Sequence, residues 1–263
     1  MTVFRCERRR NRKYILIWAL SLAVCIFVMT PVYNSMVSAS GGLPPRFEES
    51  GFLMTLGSSL ELLETPLGMY AFLTDFLMIA GGIFGMHLGL ILFTRECTEK
   101  TGEYLFTKPC GRRVVFRGKA VCLLWGVAVM GCFYLLASFA SMRVFFSGFS
   151  SWELLLVALS FPLHALFYGS LGLLFGVRWP MNRSPLLTAG LFAFSGYGIA
   201  AFARTVDSYL LSFLSPFSFF QPASIHTLGF YEWGYLVWYL LLTVGFFFLA
   251  RRTLLERDII LEG

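Results

Sequence analysis

The chain has 263 residues, 57% of them hydrophobic and 14% charged, with a net charge of +6 and a mean hydropathy of +0.71. Soluble domains are about 45–50% apolar and about 25% charged, so a water-soluble fold of this size could not hide so much apolar surface. The basic residues stand at the ends of apolar runs rather than along one polar face, which argues for orientation in a lipid bilayer and against a nucleic-acid partner.

The first apolar run, 14–37, follows the basic stretch from Arg5 to Lys13 and is long enough for one crossing, which needs roughly 20 residues. A cleaved signal peptide is the alternative, supported by Ser38, Ala39 and Ser40. The run exceeds the usual apolar core of about 7–15 residues, so an anchor is expected. Residues 39–66 form a polar outer segment, broken by Gly41, Gly42, Pro44 and Pro45 before an amphipathic stretch resumes. Further spans are predicted at 67–93, 120–146, 152–177, 185–203 and 232–250. Pro162 falls inside the fourth, where neighbouring helices can satisfy the freed carbonyl. The second outer segment, 207–231, is too apolar for a solvated loop and too broken by Pro216 and Pro222 to span, so a re-entrant or surface-lying pair of short helices is expected. The whole chain reads as one transmembrane domain, 1–263.

Orientation follows from Lys and Arg, which favour cytoplasmic loops. Six precede the first predicted span, seven lie in the connection after the second, two follow the fourth and three follow the sixth, leaving only Arg46, Arg143 and Arg204 for the other side. A multi-pass protein of the cell membrane with six helices and both termini cytoplasmic is the expectation. The six cysteines fall in segments assigned to membrane or cytoplasm, so no disulfide is expected, and Cys97 and Cys110 lack companions for a zinc set.

Asp75 lies about 12 Å into the second predicted span at 1.5 Å per residue. An acid at that depth faces the bundle interior or a wet cavity, either in a substrate path or gate or in a structural pair with Arg143, Arg204 or a hydroxyl. His164, near the middle of the fourth span, is the other possible path residue. For it and His87, with no metal motif in the sequence, hydrogen-bonded packing is the expected role. Gly81, Gly85 and Gly89, and Gly172 with Gly176, form small-residue ridges suited to close helix packing.

The connection 94–119, TRECTEKTGEYLFTKPCGRRVVFRGK, combines helix formers with both signs of charge. It reads as a short helix along the membrane surface that Pro109 ends. Glu96, Glu99 and Glu103 recur every three to four residues on one face, and Glu96 precedes Lys100 at i, i+4. Acids contribute little to orientation, so that face suggests a docking surface for a cytoplasmic partner.

Here the chain resembles the permease subunits of bacterial ABC-2 type transporters. The resemblance rests on Glu99, Lys100, Gly102, Glu103, Leu105, Lys108, Pro109, Arg112, Arg113 and Lys119 in order, on LSPFSFFQP at 214–222, and on RRTLLERDI at 251–259. It departs at Glu103, where a Thr often follows the loop glycine, and at Cys110 and Gly111. The resemblance implies an all-α integral membrane protein like the permeases of type V ABC exporters. It also implies a coupling helix built from Arg95, Glu96, Glu99, Lys100, Gly102, Glu103, Lys108, Pro109 and Arg112. The partners it implies are an ABC ATPase subunit in trans and a second permease copy or homologous permease.

No GxxxxGK[ST] motif occurs, so ATP and Mg are expected on the ATPase, with no cofactor on this chain. The competing readings are an intramembrane enzyme using Asp75 and His164 as acid and base, and a non-catalytic scaffold whose acidic loop recruits a regulator. No nucleophile or metal constellation supports the former.

Overall fold

The computed structural model describes residues 2–40, 65–98 and 111–256. The outer segment 39–66 therefore lies almost wholly outside the described residues. Nine helices, and no strands, occur among the described residues. They are α1 (Thr2–Ser40), α2 (Pro66–Thr98), α3 (Arg112–Phe145), α4 (Ser151–Arg178), α5 (Pro185–Val206), α6 (Tyr209–Leu214), α7 (Pro216–Phe219), α8 (Pro222–Leu228) and α9 (Trp233–Glu256). Six of them, α1 to α5 and α9, are long and apolar enough to cross a membrane. In hydrocarbon a backbone must satisfy its polar groups within itself, which for such sequences means a helix.

The first three helices outrun the membrane. With 39, 33 and 34 residues, α1, α2 and α3 extend about 58, 50 and 51 Å at 1.5 Å per residue, against a hydrocarbon core of about 30 Å. Their ends therefore protrude. Thr94–Thr98 continue α2 and Arg112–Lys119 open α3, so these parts of the predicted surface loop are instead turns of the long helices. The physical reason is tertiary: Glu96 and Lys119 bond to each other across α2 and α3 and hold these turns helical, while Arg113 and Arg117 stay exposed.

The core is built on α2 and α4. Two thirds of each apolar window is buried (67%), against 22% for α9. Their contact, the most extensive in the bundle, depends on missing side chains. A Cβ at Gly85 would overlap the Ala165 carbonyl oxygen, and one at Gly89 would overlap that of Gly169. The two backbones thus touch directly, as small-residue ridges allow in membranes. The helix α1 packs mainly on α3, and α5 mainly on α2. Buried hydroxyls join α2 to α3: Tyr70 donates to Ser138 Oγ at 2.7 Å, and Thr74 Oγ1 lies 3.0 Å from the Tyr134 hydroxyl.

The far end, opposite the N-terminus, is closed by the short helices. Ser150 caps α4, accepting from the Glu153 amide at 3.4 Å, and Thr65 Oγ1 caps α2, accepting from the Gly68 amide at 3.0 Å. His226 of α8 joins both starts, with Nδ1 3.2 Å from Glu153 Oε2 and Nε2 3.3 Å from Thr65 Oγ1. The helix α7 is embedded: Pro216, Phe217, Ser218 and Phe219 are all buried. Where the sequence predicts a pair of short helices, the structure has three, of which α6 has no buried residue.

Candidate functional site

At the N-terminal end, α1, α2 and α3 meet around one lysine. Lys119, about 10 Å along α3 from Arg112, has 0% of its side chain exposed. Its Nζ lies 2.6 Å from Glu96 Oε1 of α2 and 3.1 Å from Glu7 Oε1 of α1. It also donates to the Leu92 carbonyl oxygen and lies 4.9 Å from the centroid of the Phe93 ring. Two carboxylates, one carbonyl and one ring face thus surround a single ammonium, which satisfies its three donors.

The ring of contacts extends outward. Asn11 donates to the Glu7 carbonyl oxygen at 3.0 Å and to Glu7 Oε2 at 3.3 Å, and Arg95 donates to Asn11 Oδ1 at 3.1 Å. Arg8 adds a cation–π contact, 5.8 Å from the Trp125 ring centroid. Arg112, at the first turn of α3, donates to the Leu255 carbonyl oxygen at 3.2 Å and so ties α3 to the end of α9.

Three of the coupling residues expected from the sequence are therefore placed: Arg95, Glu96 and Arg112. The structure sets Glu96 in an internal ion pair, with 14% of its side chain exposed, which differs from the outward acidic face expected of it. The reason is Lys119, whose burial demands counter-charge. Glu99, Lys100, Gly102, Glu103, Lys108 and Pro109 lie outside the described residues. Sequence reading missed Glu7 and Asn11, and it counted Lys119 among the basic residues of the connection and of the family resemblance without placing it in the interior. One signal was available: Glu7 is the single acid in the basic stretch before the first apolar run.

Within the bundle, Asp75 is buried and paired with Arg204 of α5. The guanidinium lies alongside the carboxylate, Nη1 to Oδ2 and Nη2 to Oδ1, both at 3.4 Å. Of the three partners weighed from the sequence, the structure selects Arg204. His164 is 1% exposed, and neither ring nitrogen has a hydrogen bond among the described residues. It packs instead against Phe217 and Tyr168, at centroid distances of 4.3 and 5.0 Å. The hydrogen-bonded packing expected of both histidines is seen at His87, whose Nδ1 is 2.8 Å from the Tyr14 hydroxyl, while His164 is held chiefly by ring packing. Aromatic rings fill most of its surroundings, with the Pro216 backbone beside it. Asp75 and His164 are held by different neighbours and are not assembled as an acid and base. No group of three metal-ligating side chains occurs among the described residues.

In comparison with protein families, the family model described as ABC-2 family transporter protein matches residues 1–259. Among curated proteins and among solved structures, nothing matches.

Proposed function

This chain belongs to the ABC-2 family of transporter proteins, and from that premise we propose that it is the membrane-spanning permease subunit of an ATP-driven exporter. In this reading an ATPase on a separate chain binds ATP and Mg. A second permease, identical or homologous, completes the path across the cell membrane. Both termini lie in the cytoplasm, and the architecture is that of a type V exporter.

The observation that carries the coupling is how the connection 99–110 is rooted. It leaves α2 just after Glu96 and enters α3 shortly before Lys119, and those two residues are bonded to each other and to Glu7 of α1. A push on the connection is therefore delivered to three long helices at once rather than absorbed by a loose loop. Glu99, Lys100, Gly102, Glu103, Lys108 and Pro109 form the contact with the ATPase, with Arg95, Glu96 and Arg112 at its roots. Asp75 and His164 stand on the side of the bundle interior that serves the transported molecule.

The test is co-purification in mild detergent. Glu99→Ala/Glu103→Ala is the informative variant, with Glu96 retained because its removal would unpair Lys119. We expect an ATPase in near-equal amount with the unaltered protein and its loss from the variant. A protein that purifies alone under every mild condition would end the reading.

A further inference from the structure

The pair Asp75–Arg204 does more than neutralise a buried acid. Asp75 belongs to α2, the helix held most firmly in the core by its backbone contact with α4. Arg204 belongs to α5, whose buried residues are Ala189, Ala193, Gly196, Ala200 and Ala203, all small. That face takes in side chains from its neighbours, with Phe192 against Phe175 and Tyr197 against Phe217 at centroid distances of 4.7 and 5.4 Å, and polar contacts add to this packing at the far end. One is the ion pair to α2. The other goes to the short helices, where Ser215 donates to the Gly196 carbonyl oxygen at 2.7 Å. Between them sits Tyr197, close enough to feel both charges, with a buried hydroxyl that has no hydrogen bond among the described residues.

The two charges differ in how they tolerate separation. Arg204 is two residues from the end of α5 and can extend its long side chain to the membrane surface if the pair parts. Asp75 stands nine residues into α2, about 14 Å at 1.5 Å per residue, on a short side chain with no such escape. A carboxylate left there must take up a proton or find another cation.

We propose that Asp75 and Arg204 form the clasp of a seam between α2 and α5, and that the Asp75 carboxylate, when the seam opens, receives a cationic group of an amphipathic transported molecule. This rests on the transport reading above and assigns it a substrate class. The hydroxyl of Tyr197 supplies a further polar contact to the arriving group.

The test uses the full-length protein, with whatever accompanies it, in lipid nanodiscs, its six cysteines replaced by alanine and Ala203→Cys introduced. Position 203 is 1% exposed, so a membrane-impermeant maleimide should label it slowly. Labelling should be at least about tenfold faster in Arg204→Gln and in Asp75→Asn/Arg204→Gln, a factor corresponding to about 1.4 kcal/mol. In the protein with Asp75 and Arg204 intact, saturating tetraphenylphosphonium should also speed labelling and tetraphenylborate should not; this arm needs no destabilised variant. Tetraphenylphosphonium should bind Arg204→Gln more tightly than the intact pair and lose that gain in the double variant. Unchanged labelling in every variant overturns the clasp. Equal tetraphenylphosphonium binding with and without Asp75, or a preference for tetraphenylborate, overturns the cationic assignment. No readout involves an ATPase, so a failure here and a failure of ATPase capture are told apart.

Discussion

Lys119 holds a full charge with no exposed side-chain surface, and the cost of removing it from water is offset only by the groups arranged around it. Deleting one member of such a cluster is worse than deleting all of its charges. Lys119→Met would leave Glu7 and Glu96 facing each other at the meeting of three helices, a loss of about 3–5 kcal/mol. The neutral combination Lys119→Met/Glu7→Gln/Glu96→Gln should recover most of that loss. Thermal unfolding of the detergent-solubilised protein checks both, and equal loss in the two would overturn the electrostatic account. The cluster escapes sequence reading because hydropathy assigns every lysine to water, and Glu7 lies 112 residues from its partner. Asp75 was more legible: an acid inside an apolar run announces itself. Choosing among Arg143, Arg204 and a hydroxyl still required the packing of α5 on α2.

At the scale of the helices, the contact between α2 and α4 is decided by backbone meeting backbone. Gly85→Leu would drive a side chain into the Ala165 carbonyl, and a backbone cannot yield as a side-chain tip can. The two core helices must then separate, and we expect a loss of at least about 3 kcal/mol, seen as failure to recover folded protein. Gly190→Ala in α5 meets nothing within 4 Å and is the matched control, with yield and stability unchanged. The far end makes a smaller prediction. Tyr231 donates to the Leu156 carbonyl oxygen at 2.7 Å, which fastens the start of α9 to α4, and Tyr231→Phe should cost about 1 kcal/mol. Burial raises the pKa of this hydroxyl above its ordinary value. Its stabilising share is therefore fully present below about pH 10 and is lost only as the pH rises beyond that, which a melting series in pH with the Phe variant as reference will show. The spacing of Gly81, Gly85 and Gly89 was readable as a packing ridge, but which helix it meets was not.

For the molecule as a whole, charge is distributed by end. Exposed arginines gather where α1 begins, where α3 begins, between α4 and α5 and in the last turns of α9, while the far end carries Arg143 and the paired Arg204 among the described residues. Cytoplasmic segments carry such an excess, so a fluorescent protein fused at either terminus should mature and a periplasmic alkaline phosphatase fused there should stay inactive; the reverse result at either end would overturn the proposed orientation. The sequence alone determined that the chain is an all-helical membrane protein with six crossing helices, because apolar runs of sufficient length have no other satisfactory state in lipid. It also pointed to the ABC-2 family through an ordered set of residues around one connection, and the family match over residues 1–259 agrees. Tertiary structure alone decided that Lys119 is buried, that Glu96 faces inward to it, that Arg204 answers Asp75 and that His164 is packed by rings. Length and hydropathy act locally along the chain, whereas a charge in an apolar interior is tolerated only through its partner, and partners are brought together by the fold.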